Sequence, residues 1–125
     1  MPREAARAQA QEGPVVTKAA LRAAERLGVP NRALARIIGL SEASVSRMGS
    51  GAYVLSPSDK SFDLAVLFVR LFRGLDAVVH GDQTAARTWL QSPNDALGAP
   101  PLTLIQSIPG LVHVVAYLDA RRALV

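Results

Sequence analysis

The stretch NRALARIIGLSEASVSRMGS, residues 31–50, decides how the first half of this chain folds. Its first part carries apolar side chains at helical spacing, at Leu34, Ala35 and Ile38. Gly39 follows at once, and a helix end favours a residue that tolerates a positive φ. We therefore predict a short helix that is capped by Asn31 and that ends at Gly39.

A second short helix is predicted after the glycine turn. Ser41 can cap it by accepting a hydrogen bond from a free backbone N–H, while Val45 and Met48 face inward. The outward positions are small or polar, and we expect them to contact DNA: Ser41, Glu42, Ala43, Ser46, Arg47 and Ser50. A helix with a slim polar face, held at an angle by a tight turn, is typical of a helix-turn-helix. An ordinary helical corner without nucleic acid is the alternative interpretation.

The positive charge of the chain is concentrated in the same half. The net charge is +4, because residues 1–60 hold nine Lys and Arg against five Asp and Glu, whereas residues 61–125 hold five of each. Such an excess is expected where a protein contacts phosphates, and we assign Lys18 and Arg36 to that role. A solubilising surface would have a similar composition.

Composition excludes several other classes of protein. Half of the 125 residues are apolar and 19% are charged, which is typical of a globular chain. There is no cysteine, and His80 and His113 lie far apart without acidic neighbours at ligand spacing, so we expect no metal and no cofactor. The apolar stretch Phe62–Val79 is interrupted by four charged residues, which argues against a membrane span. We expect a cytoplasmic protein.

The chain is predicted to consist of helices only, because no stretch alternates polar and apolar residues as a strand would. It divides into a flexible arm, a helix-turn-helix domain, a long connecting helix and a small helical domain, at residues 1–13, 14–57, 58–81 and 82–125. A Gly-Pro pair at residues 13–14 closes the arm. Helix 1 is therefore expected to begin at about Val15 or Thr17 and to end at Leu27.

The long helix, predicted from about residue 59 to residue 79, is apolar on more than one face. One face can pack on helix 1. We expect the other face to meet a second copy of the protein, so that the chain forms at least a homodimer. A dimer would also suit DNA, because helix-turn-helix proteins usually bind as two-fold dimers.

A run of anchor and turn residues marks the second half of the chain. It reads WLQSPNDALGAPPLTLIQSIPG over residues 89–110. Trp89 and Leu90 end a helix, Pro93 and Asn94 make a turn, and Pro101 can open the next helix at its first turn. Taken alone, these residues predict a small helical subdomain.

The same run resembles the toxin-binding domain of the Xre/MbcA/ParS antitoxins, which pair with RES-domain toxins. The positions that match the pattern of that family are Trp89, Leu90, Pro93, Asn94, Leu97, Gly98, Pro101, Leu102, Ser107 and Gly110. The helix-turn-helix that precedes them extends the resemblance over most of the chain. Ala99 departs from it, since the family often has a second glycine there, and so does the ending ARRALV, since many relatives end in a glycine-containing tail.

The resemblance implies an antitoxin of a type II toxin–antitoxin system. Such a protein would block the cleft of an NAD-consuming RES toxin with its C-terminal region and would repress its own operon. The toxin-binding residues that the resemblance implies are Trp89, Pro93, Asn94, Leu97, Leu118, Arg121, Arg122 and Val125. The antitoxin itself would hold no NAD.

Three other interpretations remain open. An enzyme has little support, because the chain has no cysteine, no Gly-rich phosphate loop and no Ser-His-Asp arrangement. A phage-type repressor without a toxin partner would explain residues 31–50 and the charge asymmetry. An interaction module that has lost DNA binding would explain why only Arg47 of the predicted recognition helix can make a bidentate base contact.

Overall fold

The computed structural model describes the backbone of residues 3–124 and the side chains of residues 11–124. Over that range the chain forms helices and no strand, which confirms the all-α prediction. The helices are α1 Arg3–Leu27, α2 Asn31–Ile38, α3 Glu42–Gly49, α4 Lys60–Val78, α5 Gln83–Gln91, α6 Pro101–Leu104 and α7 Ile108–Arg122. None of the described helices is long and apolar enough to cross a membrane.

The predicted start of helix 1 is wrong. α1 begins at Arg3 and runs through Gly13 and Pro14 without a break. A tertiary contact stabilises the helix where proline removes a hydrogen bond. The Thr17 hydroxyl donates to the Gly13 carbonyl at 2.7 Å and accepts from the Leu55 backbone N–H at 2.9 Å. A side chain at residue 13 would collide with the Leu55 carbonyl, so glycine lets the loop after α3 lie directly on α1.

The turn between α2 and α3 forms largely as its residues predict. Gly39 adopts a φ of 72° and its N–H donates to the Ala35 carbonyl, while the Ser41 side chain accepts from the Ser44 N–H. The capping role predicted for Asn31 is wrong. Pro30 is the residue before the first helical turn, and its carbonyl accepts from the Leu34 N–H at 2.9 Å, so Asn31 is already inside the helix.

The long helix α4 lies at the centre of the molecule. It packs against α1 and α2 on one side and against α7 on the other. Much of the face that was predicted to meet a second copy is therefore covered by α7 of the same chain, whereas Val66 is 43% exposed in a groove that it lines together with Val69. The dimer stays a prediction. The approach of α4 and α7 is close because Gly74 lies against the Leu118 side chain.

One hydrophobic core joins the two halves of the chain. Leu34 and Ile38 of α2, Phe68 of α4 and Leu111 and Leu118 of α7 belong to the same buried cluster. A second link crosses between the halves at the surface, where the Arg87 guanidinium donates to the Glu25 and Arg26 carbonyls at the end of α1. The outward surfaces of α3 and α7 are thus held by one common scaffold.

Candidate DNA-binding and partner-binding surfaces

The outward surface of α3 has the composition that the sequence predicts. All six of its predicted DNA-contacting residues are exposed: Ser41, Glu42, Ala43, Ser46, Arg47 and Ser50. Val45 and Met48 are buried on the opposite side and fix the helix to the core. Apart from Glu42 and Arg47, this surface carries only alanine and serine side chains, so it is slim.

Arg47 is held against its own helix. Its guanidinium donates to the Ser44 hydroxyl at 3.2 Å, and Ser44 in turn accepts from the Ser41 hydroxyl at 2.9 Å. Arg47 must leave this hydrogen bond before it can bind a base edge with both of its amino groups. The bond is partly exposed, so the free-energy cost of that movement is small, on the order of 1 kcal/mol.

The two predicted phosphate contacts lie on different helices. Arg36 is exposed in the last turn of α2. Lys18 is exposed on α1 and lines a shallow depression together with the C-terminal end of α3, at Met48–Gly51. Both cations therefore lie on helices that pack directly against α3.

In the second half of the chain, aromatic side chains of α5 and α7 stack at the surface. The rings of Trp89 and Tyr117 have centroids 6.2 Å apart and planes inclined by 18°. The Arg121 guanidinium carbon lies 5.8 Å from the centre of the Tyr117 ring, and Arg121 donates to the Tyr117 hydroxyl at 3.0 Å. Sequence reasoning selected Trp89 and Arg121 and missed Tyr117, although its place four residues before Arg121 on a helix is a usable signal.

Arg122 does not join this stack. It lines a groove between α1 and α4, together with Val15, Arg70 and Arg73. Adjacent positions on a helix point in different directions, so the two predicted arginines face different parts of the surface. Val125, the last predicted toxin contact, lies outside the described residues.

The signature residues after Trp89 build a turn. The Asn94 side chain accepts from the Leu97 N–H at 3.1 Å, and its carbonyl accepts from the Gly98 N–H at 2.8 Å. Leu97 is half-buried against the core, while Pro93 is exposed. Asn94 and Leu97 therefore shape the segment between α5 and α6 through their own local contacts.

Leu118 was predicted to contact the toxin, but it is buried. Its side chain is 1% exposed and packs on α4 at Gly74, so it offers a partner no surface. The resemblance placed it among the toxin contacts, but its side of α7 also carries the buried Leu111 and Val114. Leu118 holds α7 to the core.

Gly110 has a steric role at the start of α7. A Cβ atom there would collide with the Leu104 carbonyl at the end of α6. The Ser107 hydroxyl caps α7 by accepting from the Gly110 N–H at 3.2 Å. The matched Ser107 and Gly110 therefore make the tight corner that turns the chain from α6 into α7.

No metal site is evident where the chain is described. Among the side chains of residues 11–124, no three His, Cys, Asp or Glu come together in a way that could hold an ion.

Comparison with known proteins accounts for both halves of the chain. Residues 6–70 match the model of the antitoxin Xre-like helix-turn-helix domain, and residues 74–123 match that of the antitoxin Xre/MbcA/ParS C-terminal toxin-binding domain. A search among curated proteins found no match. Among solved structures, the chain is similar to one in the crystal structure of the M. tuberculosis MbcT–MbcA toxin–antitoxin complex, with a TM-score of 0.66 and 25% identity over 89% of this chain and 96% of that one. This chain belongs to the Xre/MbcA/ParS family of antitoxins.

Proposed function

We propose that this antitoxin neutralises a RES-domain toxin encoded next to it and represses their common operon by binding operator DNA in the cytoplasm. The observation that supports this most strongly is the order of the two modules. A helix-turn-helix domain and a toxin-binding domain follow one another over residues 6–123 and share one core. A protein with both modules can bind a toxin and DNA at surfaces that are fixed relative to each other.

The toxin-binding half acts by obstruction. α7 and the residues after it lie at the surface, with the Trp89–Tyr117 stack beside them. A helix end with exposed Arg121 and Arg122 can approach an NAD-binding cleft, whose natural ligand carries negatively charged phosphates. In this mechanism the antitoxin holds no cofactor and performs no chemistry.

The DNA-binding half acts through α3. Arg47 is the one residue on its outward surface that can make a bidentate contact with guanine, and the neighbouring hydroxyls can bind phosphates or bases. Because this surface is small, we propose that two copies bind together, each with α3 in the major groove. Val15 and Val54 are 64% and 49% exposed beside α3, and they offer apolar surface for such a contact.

Two assays test the two halves. Gel shifts with the upstream DNA at several salt concentrations test repression, and the expected result is binding that weakens as salt rises. Co-expression with the adjacent toxin gene tests neutralisation, and the expected result is restored growth with a complex that co-purifies.

The runner-up function is a repressor without a toxin partner. It predicts specific binding to operator DNA but neither rescue of growth nor complex formation with the adjacent gene product. Deletion of residues 111–125 is a poor test of neutralisation, because it removes the buried Leu111, Val114 and Leu118 from the core. Point substitutions at exposed positions are needed instead.

A further inference from the structure

An uncovered row of apolar side chains winds around α7 from its first residue to just beyond its end, because each step of four residues goes about 40° past a full turn. It consists of residues spaced four apart, at Ile108, Val112, Ala116, Ala120 and Leu124, and all five are exposed. The large members are 48%, 50% and 84% exposed, in the order Ile108, Val112, Leu124. We call this set the outer face of α7.

The opposite side of the same helix is buried. Leu111, Val114, Val115 and Leu118 pack against α4 and the core. α7 is therefore apolar on two sides, and in a soluble protein a helix of that kind is normally covered on both. Since the chain covers one side, the composition of the outer face indicates that a partner covers the other.

Charged groups are kept off the outer face. From Ile108 to Tyr117 α7 has no Asp, Glu, Lys or Arg, and the exposed His113 follows Val112 in that stretch. Asp119 is paired with Arg70 of α4 at 2.6 Å, and Arg121 is drawn to the ring of Tyr117. An apolar strip with charges only at its rim is the usual pattern of a protein–protein interface.

The position of this strip within the chain indicates which partner covers it. α7 lies within residues 74–123, the part of the chain that matches the toxin-binding domain. The strip is also next to the Trp89–Tyr117 stack, and aromatic rings of this kind are enriched at interface hot spots. Of the other exposed valines, Val54 lies beside α3, whereas Val15 and Val66 line the groove that also holds Arg122.

We propose that the outer face of α7 is the surface on which the toxin docks, with Val112 at its centre. This inference rests on the proposed function and deepens it. Ile108 and Val112 enter an apolar groove of the toxin, and the small Ala116 and Ala120 let the toxin backbone come close to the helix. The signature residues Asn94, Leu97 and Gly110 present this face but do not themselves form it.

The test is a matched pair of substitutions, Val112→Glu and Val54→Glu. Val112 is 50% exposed on α7, where glutamate is a good helix former, and Val54 is 49% exposed in the loop after α3. Dissociation constants are measured by calorimetry against the RES-domain protein of the same operon, and growth rescue is scored in parallel. We expect V112E to weaken toxin binding by roughly 30-fold or more, because it buries a carboxylate in the contact, and V54E to change it less than about threefold.

Two further measurements make the test decisive. The variant Ala116→Glu repeats the change one turn along the strip, and circular dichroism checks that each variant keeps its helices. The mass of the free antitoxin in solution shows whether the strip serves self-association instead.

The inference is overturned if folded V112E and A116E bind the toxin as tightly as the wild type, or if V54E is as damaging as they are. It is also overturned if V112E lowers the mass of the free antitoxin and leaves toxin binding intact. In each of these results the wild type still binds the toxin, so the proposed function stands. A wild type that does not bind the toxin contradicts the proposed function and removes this inference with it.

Discussion

The helices α3 and α7 bury similar faces and expose opposite ones. Each packs aliphatic side chains into the same core, Val45 and Met48 from α3 and Leu111 and Leu118 from α7. Outward, α3 carries serines, Glu42 and Arg47, whereas α7 carries isoleucine, valine and alanines. The core face fixes where each helix lies, and the outer face decides which class of partner it can bind.

The contrast has a thermodynamic consequence. The surface of α3 is well hydrated when free, and its contact with phosphates would release counterions, so binding there depends on salt. The outer face of α7 gains from removal of apolar surface from water, at about 25 cal/mol per Å². Raising the salt concentration should therefore weaken operator binding and leave toxin binding almost unchanged, apart from the effects of Arg121 and Arg122.

The largest effect is expected from the buried side of α7. Leu118→Ala should lower the free energy of unfolding by about 2–5 kcal/mol, because it leaves a cavity against Gly74. Urea denaturation followed by circular dichroism measures this. The control is Val112→Ala, which should change the same quantity by less than about 0.5 kcal/mol because Val112 is half exposed. Equal losses in both variants would contradict the assignment of the two sides.

The corner before α7 should be almost as sensitive. Gly110→Ala places a methyl group against the Leu104 carbonyl, so the α6–α7 turn must shift. We expect the free energy of unfolding to fall by about 1–3 kcal/mol, as it does when a well-packed site is overfilled. Gly49→Ala is the matched control, since a Cβ there meets nothing within 4 Å. If both substitutions leave thermal unfolding unchanged, the steric role of Gly110 is refuted.

On the α3 side the effect should appear in DNA binding and not in stability. Arg47→Ala is expected to weaken specific operator binding by about 1–3 kcal/mol, because it removes the one bidentate base contact. Lys18→Ala should instead weaken binding to every sequence alike and reduce the dependence on salt. Fluorescence anisotropy with operator and scrambled duplexes separates the two. A uniform loss for Arg47→Ala would make it another phosphate contact.

The smallest effect concerns the ion pair at the rim of the outer face of α7. Arg70 and Asp119 are 60% and 37% exposed, so their interaction should contribute only about 0.2–1 kcal/mol to stability. A double-mutant cycle with Arg70→Ala and Asp119→Ala measures it, at low and high salt. A coupling energy of several kcal/mol would mean that the pair fixes α7 on α4, and the core would then matter less than we infer.

The local parts of the fold follow from local sequence. The αL glycine at residue 39 and the Ser41 cap were predictable because each depends on a few consecutive residues. The cap predicted at Asn31 is wrong because the Pro30 carbonyl already accepts the first hydrogen bond of the helix. The predicted first residue of helix 1 lies too far along the chain, because the contact that stabilises the helix at Gly13 comes from Leu55, 42 residues away.

The sequence by itself determined the all-α class, the helix-turn-helix and the family, because those depend on periodicity, caps and a dense run of turn residues. Only the tertiary structure decided which apolar residues are core and which are free. Leu118 and Val112 are both aliphatic and lie on one helix. The spacing of Leu111, Val114, Val115 and Leu118 predicts one buried side, but it does not say whether the side with Val112 is covered as well. Leu118 and Val112 differ because α4 covers one side of α7, so Leu118 stabilises the fold and Val112 is left for a partner. The same packing covers much of the α4 face on which a second copy was expected.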